Sequence, residues 1–325
     1  MSAAIRLYNE TILLENTQVP WRERGMDATQ GPPGPDDSGV LDYRQAGPTV
    51  VRMLLGARLR RLRQAAGISR DNAGDAIRSS GSKISRLELG RTGFKQRDVS
   101  DLLTLYGVAD DAERDTLLGL ASQANAAGWW HNYADVLPAW FEPYLGLEQA
   151  ASLIRSYEVQ FVPGLLQTPE YARAVARLTD GISEADAEQR VALRMHRQQL
   201  LHRDRPPHVW MVIDETALRR PIGGRAVMQA QVDHLIRMSR RPKVTIQVMP
   251  FSAGGHAAVG GQAILLRFPE GLLPDVVYTE QLDSAVYLSK PQDTLRYWNV
   301  LNSVATEALP PGQSVEKLRR ILDII

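Results

Sequence analysis

The 325-residue sequence contains no cysteine. Disulfide bonds and thiolate metal ligands are therefore excluded, and the composition is compatible with a reducing compartment, so we expect a cytoplasmic protein. No uninterrupted apolar run approaches the ~18 residues that a membrane helix needs, and the first residues lack the features of a secretory signal. Aromatic residues make up only 6% of the chain, and the net charge is only +1. These absences argue against disulfide-rich and helical membrane classes.

The chain is too long for one small domain, since domains commonly hold about 100–200 residues. Its hydrophobic fraction of 44% and charged fraction of 23% are ordinary for a globular protein. The segment Gly31–Gly39 (GPPGPDDSG) is rich in residues that break regular structure and indicates a flexible linker. We therefore predict three parts: a leader and linker over residues 1–49, to which we assign no function, a helical domain over residues 50–125, and a larger domain over residues 126–325.

Positive charge is concentrated between Val50 and Tyr106. This segment holds twelve lysine and arginine residues against five aspartate and glutamate residues, a net charge of +7, whereas the whole chain carries +1. Basic patches bind the phosphates of nucleic acids, although arginine-rich helices also serve solubility. The charge by itself leaves both interpretations open.

The segment Ser80–Arg91 (SGSKISRLELGR) predicts a short helix with one apolar and one polar face. The Ser80 hydroxyl can cap its start, and Gly90 permits the left-handed backbone that ends a helix. Ile84 and Leu87 are three residues apart, so both can pack on a core. The side chains left pointing outward are of the types that bind base edges and phosphates, namely Ser82, Lys83, Ser85 and Arg86.

The surrounding sequence predicts four more helices. Val50–Gln64 carries an apolar stripe, and Ser69 can cap a second helix that ends at Ile77, with a tight turn before the Ser80 helix. Asp98–Tyr106 and Ala112–Ala124 supply the other two. Two short helices joined by a tight turn, the second presenting polar side chains, are the helix-turn-helix design. We therefore predict an all-α, five-helix DNA-binding domain.

Residues Val50–Val108 resemble the phage-repressor type of helix-turn-helix domain, the XRE family, most closely in the string KISRLELGR. The resemblance implies that Glu88 pairs with a buried Arg63. It also implies that the Ser80 helix faces DNA and that the start of the second helix contacts phosphate. The sequence departs from the family at Arg78, where a turn glycine is usual, at Arg70, where glutamine is usual, and at Gly81. The candidate DNA-binding residues are Arg70, Ser80, Ser82, Lys83, Ser85, Arg86, Arg91 and Lys95.

The alternation of helical and strand-like segments after residue 126 predicts a mixed α/β domain with helices on a small sheet, which makes the whole chain α+β. Apolar and β-branched runs predict strands at His208–Ile213, Val244–Met249, Ala263–Phe268, Asp275–Thr279 and Ala285–Leu288. Helical spacing predicts helices at Leu147–Tyr157, Pro169–Leu178, Ala187–His202, Val227–Ser239, Thr294–Ala308 and Val315–Leu322.

Aromatic residues are dense where the two predicted domains join. One interpretation is a hydrophobic hinge that packs one domain on the next, and the other is a pocket for a ligand or a partner. In either case we expect this cluster at the junction between the domains, with the turn VPGLLQ (Val162–Gln167) packed nearby. The candidate effector or interdomain residues are Trp129, Trp130, Trp140, Phe141, Pro163 and Gln167.

The C-terminal half is similar to a domain of an actinobacterial regulator family. The strings that carry the similarity are GWWHNYADVLPAWFEPYLGLEQAASLIRSYEVQFVPGLLQTPEYARAV, VIDETALRRPIGG and VTIQVMPFSAGGH. Members of that family join this domain to an N-terminal helix-turn-helix and are described as antitoxin-like transcriptional regulators. Their genes frequently neighbour the gene of a small partner protein. The resemblance therefore implies a small partner protein or a small-molecule effector.

The sequence contains no recognisable catalytic, cofactor or metal-binding signature. Its six histidines include no His-x3-His pair with the adjacent glutamate of a helical zinc site. The pair Asp214–Glu215 follows a predicted strand and could be catalytic, but an N-cap for a short helix that begins at Thr216 explains it better.

We therefore expect a sequence-specific transcriptional regulator that binds double-stranded DNA as a homodimer, with no catalytic residue, cofactor, metal or membrane partner. The alternative is a nucleotide-directed enzyme fused to a DNA-targeting module. An enzyme should bring together ionisable groups such as Asp214, Glu215 and a histidine, whereas a sensor should show an apolar cleft or an exposed aromatic patch.

Overall fold

The computed structural model describes residues 47–269 and 273–325. The leader and linker predicted for residues 1–49 lie outside the described residues, except that Gly47, Pro48 and Thr49 begin the first helix. No helix within the described ranges is long and apolar enough to cross a membrane. As the sequence predicts, a helical region is followed by a region built on a mixed sheet.

Five helices form the N-terminal region, namely α1 (Pro48–Ala65), α2 (Arg70–Ala76), α3 (Gly81–Glu88), α4 (Gln96–Leu105) and α5 (Asp111–Ala124). Each lies where the sequence predicts it. The Ser69 hydroxyl oxygen accepts a hydrogen bond from the Asn72 backbone N–H at 3.1 Å, and the Ser80 oxygen accepts one from the Lys83 N–H at 3.3 Å. Both predicted N-caps are confirmed, and each satisfies a donor that the helix itself cannot pair.

One apolar core joins the five helices. Leu55 and Leu59 of α1, Ile84 of α3 and Leu103 of α4 are almost wholly removed from solvent. Burying such a side chain stabilises the fold by about 1.5–3 kcal/mol. Helices of seven or eight residues, such as α2 and α3, are too short to persist alone, so this packing holds them.

Small residues allow the helices to approach closely, as predicted for the second helix. A Cβ atom on Gly74 of α2 would lie 2.7 Å from the Ser79 carbonyl oxygen. A Cβ atom on Gly56 of α1 would overlap the Leu87 carbonyl oxygen near the end of α3. Because no side chain separates the two backbones, α3 is seated directly on α1.

The C-terminal region contains six strands and seven α-helices among the described residues. The strands are β1 (Leu153–Glu158), β2 (His208–Asp214), β3 (Val244–Met249), β4 (Ala263–Arg267), β5 (Val276–Glu280) and β6 (Ala285–Leu288). The helices are α6 (Glu142–Ala150), α7 (Pro169–Ala176), α8 (Glu184–Gln198), α9 (Glu215–Arg219), α10 (Arg225–Met238), α11 (Pro291–Glu307) and α12 (Pro311–Ile324). Short 3-10 turns occur at Trp129–Val136, Gly164–Leu166, Gln199–His202 and Phe251–Ala253.

The strands form one sheet in the order β3-β2-β1-β4-β5-β6. The strands β1, β2 and β3 are parallel, and β4, β5 and β6 continue from β1 as an antiparallel meander. Leu301 and Val304 of α11 pack on one face of the sheet against Tyr157, Val212 and Leu265. The central position of β1 makes its carboxyl end the meeting point of the parallel and antiparallel halves.

One predicted helix is wrong. The sequence predicts a helix over Leu147–Tyr157, but the helix ends at Ala150 and residues 153–158 form β1. The apolar residues of this stretch can be read at helical spacing. Tertiary pairing decides otherwise, because β1 forms backbone ladders with β2 on one side and β4 on the other.

Candidate nucleic-acid interface

Helix α3 turns its apolar face inward and its polar face outward. Ile84 is 1% exposed and Leu87 is 2% exposed, as their spacing predicts. Ser82 and Arg86 are exposed, and Ser85 is half-buried beside them. The hydroxyl and guanidinium groups of this face can bind base edges or phosphates.

An open groove of about 560 Å³ runs between the start of α2 and α3. It brings together three of the residues that the sequence predicts for DNA binding, Arg70, Ser82 and Ser85. Arg70 is half exposed, with 49% of its side chain accessible. A phosphate-bearing chain in this groove would contact the Arg70 guanidinium on one side and the Ser82 and Ser85 hydroxyls on the other.

Asp71 leaves no room for a side chain at position 81, where the sequence has glycine. A Cβ atom at Gly81 would overlap the Asp71 carboxylate, which also lines the groove. The negative charge of Asp71 lies beside the start of α3, where the helix dipole favours an anion. Asp71 could not be recognised from the sequence, because nothing in its local pattern indicates that it meets the next helix.

The ion pair between Arg63 and Glu88 is confirmed. Arg63 Nη2 lies 3.2 Å from Glu88 Oε2, and Arg63 Nη1 donates to the Ile68 carbonyl oxygen at 2.7 Å. Both side chains are less than a tenth exposed. The hydrogen bond to Glu88 raises the pKa of Arg63. Arg70 Nε lies 3.6 Å from Glu88 Oε2, so the same carboxylate orients the arginine at the groove rim.

Lys83 does not project freely, which corrects its assignment as a free outward contact. Its ammonium group donates to Asp98 Oδ2 at 2.6 Å, and only 26% of the side chain is exposed. Asp98 stands in the first turn of α4, fifteen residues away, so the pairing depends on how α4 packs against α3. The positive charge of Lys83 is thus compensated within the domain.

The remaining predicted DNA-binding residues lie at the ends of the helices. Ser80 uses its hydroxyl oxygen as the N-cap acceptor of α3, which leaves the hydroxyl hydrogen as a donor. Arg91 and Lys95 are exposed in the segment between α3 and α4. They extend the basic surface beyond the groove.

Arg78, which replaces the usual turn glycine, adopts the left-handed conformation with a φ angle of 54°. This region favours glycine, because the Cβ atom of other residues crowds the following carbonyl oxygen. Gly90, the predicted helix terminator, has a φ angle of 65° as expected. The turn between α2 and α3 therefore has the backbone conformation that glycine favours, although Arg78 is strained in it.

The N-terminal and C-terminal regions meet where α1 begins. The indole of Trp130 is 2% exposed and packs against Gly47, the N-cap residue of α1. A Cβ atom at Gly146 of α6 would lie 2.5 Å from the Thr49 side chain. Arg52 of α1 also lies 3.8 Å from the Glu142 carboxylate. Trp130 is therefore at the interdomain junction, as predicted.

The predicted aromatic cluster is divided into two groups. Trp129 joins Trp130 at the junction, where it stacks on His196 with ring centres 4.1 Å apart. Trp140 and Phe141 instead lie beside the antiparallel half of the sheet. The Tyr287 hydroxyl of β6 donates to the Trp140 carbonyl oxygen at 2.7 Å. The prediction of one aromatic cluster at the junction is therefore corrected. Trp130 lies at the start of α1, whereas Trp140 and Phe141 lie against tyrosines of β5 and β6.

Pro163 and Gln167 lie in the turn Val162–Gln167, which packs on α8. The Gln198 side chain donates to the Gly164 and Gln167 carbonyl oxygens, at 3.1 and 2.7 Å. The Gln167 side chain is buried and donates to the Val162 carbonyl oxygen at 2.8 Å. These contacts tie the turn to the interior of the C-terminal region.

One constellation of ionisable groups occurs at the carboxyl ends of β1 and β2. The Tyr157 hydroxyl donates to Asp214 Oδ2 at 2.9 Å and lies 2.8 Å from His256 Nε2. Asp214 Oδ1 accepts from the Thr216 N–H at 2.8 Å, which confirms the predicted N-cap. Burial raises the pKa of Tyr157, and its hydrogen bond to Asp214 adds to the effect.

Glu215 points away from this constellation. Its carboxylate lies 2.9 Å from Arg219 Nη2 and 2.8 Å from Lys317 Nζ, and it accepts from the Phe251 N–H. These hydrogen bonds lower the pKa of Glu215 against the opposing effect of its burial. The two neighbouring carboxylates therefore have different partners. Asp214 binds Tyr157 at the end of β2, and Glu215 binds Lys317 of α12.

Two families match the chain. Residues 54–117 match a family described as a helix-turn-helix domain, and this match covers α1 to α5 in large part. Residues 141–320 match a family described as a domain of unknown function, DUF5753. No curated protein and no solved structure is similar enough to the chain to count as a match.

Proposed function

Because the chain belongs to the DUF5753 family and carries a DNA-binding helix-turn-helix domain, we propose that it is a sequence-specific transcriptional regulator of the XRE type. In this proposal α3 enters the major groove of double-stranded DNA, and Arg86 and Ser82 meet base edges. Arg70, Arg91 and Lys95 meet the phosphates.

The observation that carries the proposal is the exposed polar face of α3 beside the groove that Arg70 lines. Arg86 is exposed, and among the described residues its guanidinium has no carboxylate within 4.0 Å. Lys83 has Asp98 as its partner, so Arg86 is the stronger candidate for a base contact. An arginine with a free guanidinium can bind guanine through two hydrogen bonds.

The test is to select binding sites from a pool of random duplexes and then to measure variants on the selected site. We expect Arg86→Ala to weaken binding by about 1–3 kcal/mol and to relax the preference at one base position. Arg70→Ala should weaken binding to all sequences alike, because a phosphate contact carries no sequence information. Arg320→Ala, which removes an exposed arginine from α12, is the control for lost charge. Equal effects of Arg86→Ala and Arg320→Ala would contradict the groove assignment.

We further propose that the protein acts as a homodimer through its C-terminal region. One helix reads only a few base pairs, so proteins of this type pair two helices about 34 Å apart on one face of DNA. The support within the chain is the outer strand β6, which ends the sheet and carries the exposed Val286, with the exposed Leu282 shortly before it.

The C-terminal region is proposed to bind an effector, either a small molecule or a small partner protein, as its resemblance to antitoxin-like regulators implies. The junction supports this role, because Trp130 contacts the first helix of the DNA-binding domain directly. A signal can shift the DNA-binding population only if it binds two arrangements of the protein with different affinity.

We propose that the protein is not an enzyme. The alternative of a nucleotide-directed enzyme is favoured by the meeting of Asp214 and His256 at Tyr157. However, Tyr157 is only 1% exposed, and its hydroxyl is already engaged by both partners. A structural role explains the constellation, since it ties the loop that contains His256 to the ends of β1 and β2. Turnover of any common nucleoside triphosphate that is abolished by His256→Ala would overturn this proposal.

A further inference from the structure

A cleft of about 460 Å³ opens at the interdomain junction. Its walls are the 3-10 turn that begins at Trp129, the end of α6, and the end of α8 with the turn that follows it. Trp129 and His196 stack on each other at this cleft, with their planes inclined by 21°. The cleft therefore has a flat aromatic element and lies beside the contact with α1.

The charge of the cleft is positive. Glu148 is the one acidic residue among the described residues that line it, and Arg197 binds both oxygens of its carboxylate at 2.7 and 2.9 Å. That pair is neutral as a unit. Arg203 also lines the cleft, and no carboxylate among the described residues lies within 4.0 Å of it.

Arg203 is held in place but not neutralised. Its Nη1 atom donates to the Gln149 carbonyl oxygen at 3.0 Å, which fixes the guanidinium against α6. Arg203 is exposed at the surface, and the partial burial of its guanidinium lowers its pKa with no acid partner to offset the effect. A guanidinium in this position favours an anion that can restore the lost interactions.

The imidazole of His202 extends the polar wall of the cleft. Arg241 Nη1 lies 2.8 Å from His202 Nε2, so Nε2 is the acceptor. The other nitrogen of His202 lies 3.3 Å from the Gln198 carbonyl oxygen and acts as the donor. Arg241 thus places a second positive charge directly behind the cleft, again without a carboxylate within 4.0 Å in the described part of the chain.

We propose that this cleft binds a small molecule that carries a carboxylate or phosphate group. Arg203 binds the anionic group, and the stacked pair of Trp129 and His196 flanks the rest of the molecule. The regulatory consequence rests on the proposed function, but the binding site does not.

The route from the cleft to DNA is short. Trp129 Nε1 donates to Gln149 Oε1 at 3.2 Å, and the same Oε1 lies 3.2 Å from the Cβ position of Gly47. The indole of Trp130, packed edge-on against Trp129, also contacts that position. A ligand that moves Trp129 or Gln149 therefore displaces side chains that contact the N-cap of α1. Helix α1 in turn contacts the end of α3 at Gly56.

The test titrates the full-length protein with inorganic phosphate and with malonate at constant ionic strength, using chloride as the reference anion. Isothermal calorimetry measures binding, and tryptophan fluorescence reports on the junction. We expect saturable binding of at least one of the two anions, and the tighter one identifies the anionic group. The fluorescence change should be smaller in Trp129→Phe, because that variant lacks the indole that lines the cleft.

Two arginines allow a matched comparison. Arg203→Gln should weaken anion binding by ~10-fold or more, since a charge-assisted hydrogen bond is worth about 1.5–3 kcal/mol. Arg205→Gln removes the same charge two residues away, outside the cleft lining, and should leave binding unchanged. Arg203→Lys keeps the charge and should retain part of the affinity even if Arg203→Gln disturbs the contact with α6.

The outcomes separate the site from the proposed function. Absence of saturable binding, or equal losses in Arg203→Gln and Arg205→Gln, would show that the cleft is not an anion site. Anion binding that leaves the affinity for the selected DNA unchanged would uphold the site and overturn its regulatory role. DNA binding without anion binding would leave the DNA-binding proposal intact and refute this one.

Discussion

At the scale of single residues, the DNA-binding domain depends on a carboxylate that is nearly removed from water. Glu88 is 6% exposed and lies between Arg63 and Arg70. Burying ions costs several kcal/mol each, and their attraction repays this cost only when the pair is complete. The pair also connects α1 to the end of α3, so it contributes to the position of the helix that faces the groove.

Glu88→Gln should therefore lower the free energy of unfolding by about 3 kcal/mol, because Arg63 is left buried without its counter-charge. Urea denaturation of the full chain measures the loss. The matched control is Glu113→Gln, which removes the partner of Arg58 at a partly exposed site and should cost less than about 1 kcal/mol. A loss for Glu88→Gln no larger than that of the control would show that the pair is not stabilising.

Arg78 offers a gain of stability at one residue. Its φ angle of 54° costs about 1–2 kcal/mol for a side chain with a Cβ atom, whereas glycine adopts it freely. Glycine loses part of this gain because it makes the unfolded chain more flexible. Arg78→Gly should raise the free energy of unfolding by about 1 kcal/mol. Arg78→Gln removes the same charge without relieving the strain, so the two variants should differ in urea denaturation. Identical midpoints for both would contradict the strain.

At the scale of elements, the conformation of α3 depends on nearby residues, whereas that of β1 depends on distant strands. The ends and faces of α3 follow from Ser80, Ile84, Leu87 and Gly90, all within the helix or next to it. The conformation of β1 follows from the two strands that it pairs with, more than fifty residues away in each case. Its last residue, Glu158, shows a consequence of that pairing.

The burial of Glu158 at the end of β1 raises its pKa to about 8, and the nearby Glu280 of β5 adds to the effect against the opposing influence of Arg197. The folded protein therefore holds a proton that the unfolded chain, with a pKa of about 4.3, releases. Because the native state binds more protons in this window, stability falls as the pH rises from about 4.5 to about 8.

Glu158→Gln should remove that fall. Its free energy of unfolding should equal that of the wild type below about pH 4 and exceed it near pH 8, because glutamine mimics the protonated acid without titrating. Urea denaturation at several pH values measures both curves. Glu170→Gln, at an exposed position of α7, should leave the wild-type slope unchanged. Parallel curves for the wild type and Glu158→Gln would show that Glu158 does not titrate in this range.

At the scale of the whole molecule, the two edges of the sheet are treated differently. At β3 the Val248 N–H donates to the Ser314 hydroxyl oxygen at 2.9 Å, and the Val248 carbonyl oxygen accepts from the Leu309 N–H at 3.0 Å. The chain around α12 thus covers that edge. At the other edge, Val286 of β6 is 41% exposed and Leu282 is fully exposed in the preceding turn. Open apolar edges promote pairing with another chain.

Val286→Lys should therefore convert the proposed homodimer into a monomer, because a charged side chain on an edge strand opposes pairing. Light scattering of the full chain gives the mass, and binding to the selected DNA should weaken with it. Val259→Lys places the same charge at a residue that is 95% exposed outside the sheet, and it should leave the mass unchanged. A wild-type monomer, with and without DNA, would refute the dimer itself.

The sequence alone determined the elements whose signals are local. Capping hydroxyls at Ser69 and Ser80, the small residue Gly74 and the apolar pair of Ile84 and Leu87 act within about one helical turn, so their effects can be read along the chain. The five helices, their polar surface and the α+β class follow from such signals.

Only the tertiary structure decided which distant groups meet. The partner of Lys83, the strand conformation of β1 and the separation of Trp129 from Trp140 all depend on packing between segments that are far apart in sequence. Local periodicity carries no information about such partners, because many distant residues could satisfy the same charge or the same apolar face. The cleft beside Arg203 has the same origin, since its walls come from three separate segments that the fold alone brings together.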